Sequence, residues 1–527
     1  MNAVKVQNPR NIWKAQPYAA NAAAKLDAGS ISGAFSSSSL CKRPPMAQDF
    51  TSGKLARLGL LGPEDCRQAA EIVSRAQFDG IETVRVLFPD QHGLLRGKTV
   101  MAEGFASVFE RGLNVPSTLL QKDTSHRTAF PVWEGGSGLA GPMQGAGDVL
   151  LVPRPGTYRA LPWSGHSAWI FCEPVYQDGQ PIPFTSGRVL QKAVDQLAGQ
   201  GMAATFGLEV EFHIFELADK AAAHEQAGRP GAPVQTRNLM QGYQYLTETR
   251  YGEVEGVLDL LRRNAQKLGL RVRSVEIEMG PSQVEFTFAP DGAMAQADAM
   301  VMFRTLVKEV CARNGLHASF MAKPRLDNAM ANGWHVHQSL QDLASGRNLF
   351  MPEAEGLLTP PASAWMAGLL KYAAETSLLI APTVNSYKRY LPYQLAPNRI
   401  GWGEDNRGAM LRALMHPGDD ASRIENRAPD SSANPYFALA AQIIAGAAGL
   451  AEGLEAPRPT VSPYSEDSDK LPRSLGQALA AFEGSGLCRE ALGEDVTAYL
   501  HHLKRFEWER YLDTVSEWEQ AEYFNLF

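Results

Sequence analysis

The sequence predicts an α+β fold, and three observations carry that prediction. Segments that alternate apolar and polar residues and are rich in Val, Ile and Phe mark strands. Segments of helical period lie between them in no regular βαβ order. The composition, 44% hydrophobic and 20% charged over 527 residues, is that of an ordinary folded protein and argues against collagen, simple coiled coil or wholesale disorder.

Up to about residue 55 the chain reads as a disordered tail: Ala19–Leu40 is rich in Ala, Ser, Asn and Gly and has little to bury. A helix is predicted from Pro63, and a strand over Ile81–Phe88. The turn cluster Pro89–Gly93 follows, then extended chain over Leu94–Val100 and a strand at Val149–Val152. Further strands are predicted at Ala204–Phe215, Arg271–Glu278, Gln283–Phe288, Ala318–Lys323, Gly333–Leu340 and Arg423–Arg427. Helices are predicted at Ser186–Ala198, Val254–Leu268, Ala295–Asn314, Ala362–Ile380, Pro435–Leu450 and Leu475–Phe482, with a terminal amphipathic helix at Leu500–Trp518.

The net charge of −7 supplies no global drive toward nucleic acid or anionic membrane. Five scattered cysteines without a CxxC argue against a disulfide framework or zinc ribbon and fit a reducing, cytoplasmic setting. No secretory pattern is legible near Met1, and the most apolar run, Phe437–Leu454, is Ala/Gly-rich and holds Gln442, as a buried helix would.

Gly93–Thr99 looks like a P-loop but is one residue short of that spacing and follows a turn between strands. The stronger signals are strand faces. Glu209, Glu211 and His213 alternate onto one face, which suits either a metal site or a solvated edge strand. Glu276 and Glu278 share a face, and Gly280-Pro281-Ser282 can reset the register so that Glu278 and Glu285 converge; a hairpin with solvated acids is the plainer alternative. His335, His337 and Ser339 line one strand face, as metal or nucleotide ligands or as a hydrogen-bonded core. Arginines recur at Arg389, Arg407, Arg412, Arg423 and Arg427, a residue type suited to bidentate binding of carboxylate and phosphate, or to structural pairs with neighbouring Glu425. Acidic oxygens, imidazoles and arginines together are what metal-assisted phosphoryl transfer requires.

In order and spacing these motifs resemble the type I glutamine synthetase superfamily over about residues 65–527. That resemblance implies a tail at 1–55, a β-grasp domain at 56–178 and a catalytic domain at 179–527 whose curved antiparallel sheet forms a metal-lined funnel. It implies a homo-oligomeric ring, a dodecamer or similar, with each site completed by a neighbour's Asp90 loop, and no nucleic-acid or membrane partner. By matching position, Glu211, Glu278 and Glu285 would hold one metal and Glu209, His335 and Glu425 another, two or more Mg²⁺ or Mn²⁺ per site. Asp90, Arg389 and Arg407 would be catalytic. Arg389 and Arg427 would clasp the acceptor, and His337, Ser339, Arg407, Arg412 and Arg423 the ATP. The implied reaction phosphorylates the γ-carboxylate of L-glutamate and lets a nitrogen nucleophile displace the phosphate.

Two departures bear on the nucleophile. Ammonia-using members carry a flap Glu before Ala-Pro, where this chain has Leu395. Losing a carboxylate about 4 Å from a cation forfeits on the order of 4 kcal/mol at an effective dielectric of 20. An organic amine, alkyl or aryl and of aniline type, is therefore expected, ahead of a polyamine or ammonia; a non-catalytic ring-forming relative is the alternative of another class. In the loop Met330–His335 the family's Asn-Gly is displaced and Trp334 enters beside the acceptor, while His213 is expected to be a buried structural histidine.

Overall fold

The computed structural model describes residues 48–134, 141–219, 221, 223–465 and 467–527. The predicted tail lies outside the described residues up to position 47, but its last part does not. Phe50 and Leu55 are fully buried, Phe50 against Phe109 at 5.6 Å between rings, so ordered chain begins before residue 55. Apolar side chains in an otherwise polar stretch are the reason.

Two sheets build the molecule. The first contains β1 (Thr83–Pro89), β2 (Leu95–Met101), β3 (Leu113–Pro116), β4 (Asp148–Pro153), β5 (Arg159–Ala160) and β6 (Ser167–Val175). Its order is β2-β1-β6-β4-β3 with β5 on β6, and only β1 and β6 run parallel. β6 was not legible as a strand. It lies between β1 and β4 with eight of its nine residues buried, so it has no alternation to read. Around this sheet lie α1 (Lys54–Arg57), α2 (Pro63–Phe78) and α3 (Ala106–Arg111).

The second sheet is ten-stranded: β7 (Met202–Leu217), β8 (Thr236–Asn238), β9 (Val272–Ile277), β10 (Gln283–Phe288), β11 (Asp291–Gly292), β12 (Leu316–Ser319), β13 (Trp334–Asp342), β14 (Trp402–Glu404), β15 (Leu411–Leu414) and β16 (Arg423–Asn426). Its main path is β14-β15-β16-β13-β7-β10-β9, antiparallel except for the edge pair β14 and β15. The expected strand to Lys323 stops at Ser319, while β14 and β15, short and without clear alternation, were not predicted.

The even-numbered face of β7 is apolar, with Phe206, Leu208, Val210 and Phe212 all buried. It packs on α4 (Ser186–Ala198) and α6 (Ala293–Arg313), while α5 (Glu248–Lys267) lies against β9. Phe303 of α6 is a hub, 4.9–5.7 Å ring to ring from Phe212, Phe286 and Phe288; each such buried ring is worth about 2–3 kcal/mol over exposure. The odd-numbered face is thereby left for charged residues.

Behind this layer, α7 (Pro360–Lys371) and α8 (Ala373–Ile380) replace the single helix expected over Ala362–Ile380; the break falls at Tyr372, where the backbone leaves helical geometry. The apolar run forms α9 (Pro435–Ala451), almost wholly buried. Then come α10 (Leu475–Gly484), α11 (Gly486–Leu492), α12 (Glu494–Leu512) and α13 (Glu517–Tyr523). The terminal helix therefore starts earlier than Leu500, after Gly493 at φ +96°, and ends at Leu512. No described helix is long and apolar enough to cross a membrane.

α7 and α9 cross backbone to backbone. A Cβ on Gly368 would lie 2.1 Å from the Ala445 carbonyl oxygen, and Gly449 meets Ala364 in the same way. Gly368→Ala should therefore cost at least about 2 kcal/mol, because neither backbone can yield. Denaturant unfolding measures this; an unchanged midpoint would refute the close crossing.

Candidate active site

Register alone brings the charged residues together. Across the odd face of β7, three rows of directly paired residues run through the sheet. The first is Arg412–Glu425–His337–Gly207, the second His335–Glu209–Thr287–Ser274, and the third Glu211–Glu285–Glu276. Paired residues share a face with Cβ atoms about 5 Å apart. The turn between β9 and β10, with Ser282 at φ +60°, brings Glu278 opposite Gln283, whose carbonyl accepts from the Glu278 N–H at 3.0 Å. Glu278 thus joins the same face as Glu285, the convergence expected from Gly280-Pro281-Ser282.

Three overlapping groups could each hold a metal ion, their ligand atoms within 4.8 Å of one another: Glu211, Glu278 and Glu285; Glu209, Glu285 and His335; Glu209, His337 and Glu425. The first is the trio expected from the sequence. The second expected trio is divided between the other two groups, although the His335 ring nitrogen is 3.2 Å from Glu209 and 3.7 Å from Glu425.

Charge balance differs sharply between the two sides. Burial opposes the charge on Glu425, yet Arg427, His335 and His337 hold it down at about 2, and both of its oxygens meet arginines, Arg412 and Arg427. Glu209 likewise resists burial through His335 and His337 and stays well below the usual carboxylate range. On the other side burial pushes Glu278 up to about 8, with Glu211 adding repulsion. Glu285 is driven well above its ordinary value by burial and by Glu209, Glu211 and Glu278, and one buried oxygen has no hydrogen-bond partner. Like charges enclosed in this way call for a cation that the described residues do not supply. Oxygen donors with one or two imidazoles suit Mg²⁺ or Mn²⁺.

Of these residues Glu209, Glu211, Glu278, Glu285 and His335 form the floor of a cavity of about 550 Å³, also lined by Arg389, Arg407, Arg412, Arg427 and Leu395. The buried Nε atoms of Arg389 and Arg427 have no hydrogen-bond partner among the described residues, leaving donors for an anion. A second cavity of about 390 Å³ holds His337, Ser339, Arg273 and Arg423 and shares Glu209 and Glu276 with the first. The five expected nucleotide residues are therefore divided: Arg407 and Arg412 face the larger space.

One expectation is overturned. Trp334 is fully buried, because it points to the opposite face of β13 from His335, and it does not line the cavity. Asp90 lies outside both cavities, and its enclosed carboxylate accepts from the backbone N–H groups of His92 (2.8 Å) and Leu94 (2.9 Å) and pairs with Arg96 (2.8 Å). Within its own subunit it closes its own turn. His213, in line with Glu211, is wholly buried and stacked on Phe215, and burial pushes it down to about 4, so it stands as a neutral structural residue.

Several lining residues escaped the sequence reading. Gln283 donates to the Ala331 carbonyl (2.8 Å) and the Asn332 side chain (3.0 Å), tying the 330–333 loop to β10, and the Gly333 N–H donates to Glu211 at 2.6 Å. Glu276 was noticed on its strand face but given no role. Tyr245, Leu246, Met279 and Met330 line the mouth from loops without a period. Leu246 and Leu395 both have left-handed backbones, at φ +55° and +56°, a cost on the order of 1–3 kcal/mol each. Gly242 seats the first of these loops on the β9–β10 turn, where a Cβ would lie 2.4 Å from the Pro281 nitrogen.

A family profile described as glutamine synthetase, catalytic domain, matches residues 186–523. The chain is 34% identical to a gamma-glutamylanilide synthase of an Acinetobacter species, over 87% of this chain and 96% of that one. It is 33% identical to a gamma-glutamylethanolamide synthetase of Streptomyces coelicolor, over 83% and 92%. A solved structure of GmaS with ADP superposes with a TM-score of 0.72 at 27% identity, over 86% of this chain and 99% of that chain.

Glu278 and Glu285 bind a proton more tightly folded than unfolded, so they withdraw stability as pH rises from about 4.5 toward 8. Glu209 and Glu425, held low, already contribute in full across that range. The metal-free protein should lose on the order of a few kcal/mol between pH 5 and pH 8. Saturating Mg²⁺ or Mn²⁺ should raise the unfolding temperature more at pH 8 than at pH 5, since it displaces those protons. Equal stabilisation at both pH values would place the metal elsewhere.

Proposed function

Because the chain belongs to the glutamine synthetase family, we propose that it is an ATP-dependent carbon–nitrogen ligase that joins the γ-carboxyl of L-glutamate to an organic amine, releasing ADP and phosphate. The observation that carries this reading is one cavity holding both the under-neutralised trio Glu211, Glu278 and Glu285 and the free Nε donors of Arg389 and Arg427. Metal ions on the carboxylates supply charge neutralisation at the phosphates. Glu211, Glu278 and Glu285 hold one ion, and Glu209 and His335 with Glu425 or Glu285 hold another. His337, Ser339, Arg273 and Arg423 bind ATP from the smaller cavity, with Arg407 and Arg412 reaching its phosphates from the larger one. Arg389 and Arg427 clasp the glutamate carboxylate and the transferred phosphoryl group, where fixed donors act without reorganisation.

The nucleophile is an alkyl or aryl amine. Leu395 lines the cavity in place of a flap carboxylate, and the two curated relatives named above are an anilide synthase and an ethanolamide synthetase. A ring of identical subunits working in the cytoplasm, where ATP and glutamate are supplied, is part of this reading. Division into a small domain up to about residue 178 and a catalytic domain beyond it follows the two sheets.

The test is ADP release with L-glutamate and Mg²⁺ or Mn²⁺, given ammonium, ethylamine, putrescine or aniline. An organic amine should exceed ammonium by at least tenfold in kcat/KM, and Glu211→Gln should cost a hundredfold or more. Ammonium in first place would instead make this a glutamine-forming enzyme.

A further inference from the structure

Behind the carboxylate face the core contains a polar knot. α9 is apolar at every buried position from Phe437 to Gly446 except Gln442. The Gln442 side-chain oxygen accepts from two amides at once, Gln338 Nε2 at 3.0 Å and Asn426 Nδ2 at 2.8 Å. Gln338 lies on β13 and Asn426 on β16, each on the strand face opposite to His337 and Glu425. The Gln338 oxygen accepts in turn from the Trp365 indole of α7 at 2.8 Å. The Asn426 oxygen accepts from the Ala428 N–H at 3.0 Å. The Ala428 carbonyl accepts from Arg389 Nη1 at 2.9 Å and from the Tyr390 hydroxyl at 3.0 Å. Gln338, Trp365, Asn426 and Gln442 are all buried. Burying polar side chains where apolar ones of similar size would pack brings little stability. What a satisfied buried network supplies is one fixed arrangement of the elements it joins.

The joined elements carry one side of the site. β13 and β16 share three paired positions, Val336–Asn426, His337–Glu425 and Gln338–Ile424. A ladder this short ends where the chain must deliver Glu425 and Arg427 to the opposite face. Resting on the ligase reading above, we propose that Gln442 is a positioning residue of the active site: by tying the backs of β13 and β16 together it sets how far Glu425 stands from His335 and His337. It touches neither substrate nor metal and acts only through the two strands. The same tie, continued through Asn426 to Ala428, fixes the chain on both sides of Arg427 and meets Arg389 from behind. Glu211, Glu278 and Glu285 lie on β7, β10 and the turn before β10, outside the knot. The device therefore serves the metal position that Glu425 and the histidines would form, and leaves the other to β7 and β10. A shift of either strand would spread the first set of ligands and spare the second.

The test is a Mn²⁺ titration of the full chain, freed of metal and followed by the electron paramagnetic resonance of the free ion. The unaltered protein should bind two ions per chain; fewer would remove the ligase reading and this proposal together. Gln442→Met fills the same space with a flexible apolar side chain and leaves both amides without their acceptor. In it one of the two affinities should fall about tenfold, the size of effect known for groups that orient metal ligands, while the other changes less than twofold. Gln338→Met, which removes one of the two donors, should show the same selective loss and serves where the first variant folds poorly. Gln442→Glu keeps an acceptor oxygen and should bring the lost affinity back to within threefold. A purely structural role would lower the amount of folded protein and leave the ratio of the two affinities as it was. An unchanged ratio in both Met variants, or no recovery in Gln442→Glu, would overturn the positioning role while the two-ion site of the unaltered protein still stands.

Discussion

The constraint on which the rest of the structure depends is the confinement of carboxylates on one face of β7 and its neighbours. Two unit charges about 4 Å apart interact by about 4 kcal/mol at an effective dielectric of 20. The protein neutralises only part of this. Glu425 is clamped between Arg412 and Arg427, and Glu209 is held by His335 and His337. Beside Glu211, Glu278 and Glu285 the described residues bring no arginine pair: Gln283 and the Gly333 N–H orient but carry no charge, and the His335 ring stands 3.8 Å from Glu211 and 4.0 Å from Glu285. The asymmetry divides the site into a side completed by the protein and a side awaiting a cation.

Holding like charges together requires a scaffold that cannot relax away from them. On the far face of β7 the cluster around Phe303 fixes the sheet against α6. The same helix is tied to the smaller sheet by two polar links: Arg154 forks onto Asp298, which also accepts from Tyr436, and Arg85 pairs with Glu309, which accepts from the Trp163 indole at 2.8 Å. A bidentate arginine fixes orientation as well as distance. α6 is therefore the common support of both sheets, and a displacement of either would reach the carboxylate face.

What was legible in the sequence depended on the range of the interaction. The period of two placed Glu209 and Glu211 on one face, and the Gly280-Pro281-Ser282 turn brought Glu278 to Glu285, because both are local geometry. Trp334 was misjudged although its neighbour His335 was read correctly. Alternation says that the two point to opposite faces, and the resemblance-based expectation for its loop overrode that rule. The enclosure of Asp90 within its own subunit was not legible for another reason. Its partners, the amides of His92 and Leu94, are local, but its complete enclosure depends on Asn434 and the surrounding packing, more than 340 positions away. β6, buried on both faces, and the mouth loops, whose shape is set by left-handed residues and by contact with the β9–β10 turn, left no periodic trace.

Leu395 at the cavity bears on the choice of amine. Amide formation needs a nitrogen lone pair and a destination for one proton. A protein that meets both needs with side chains must place a carboxylate near the incoming nitrogen and keep it charged, which is costly beside an apolar wall. Within one subunit, every carboxylate that lines the larger cavity lies on its floor, among arginines, a histidine and the proposed metal positions. In the proposed ring, an acid for the incoming nitrogen would therefore come from a neighbouring subunit, as expected of the Asp90 loop.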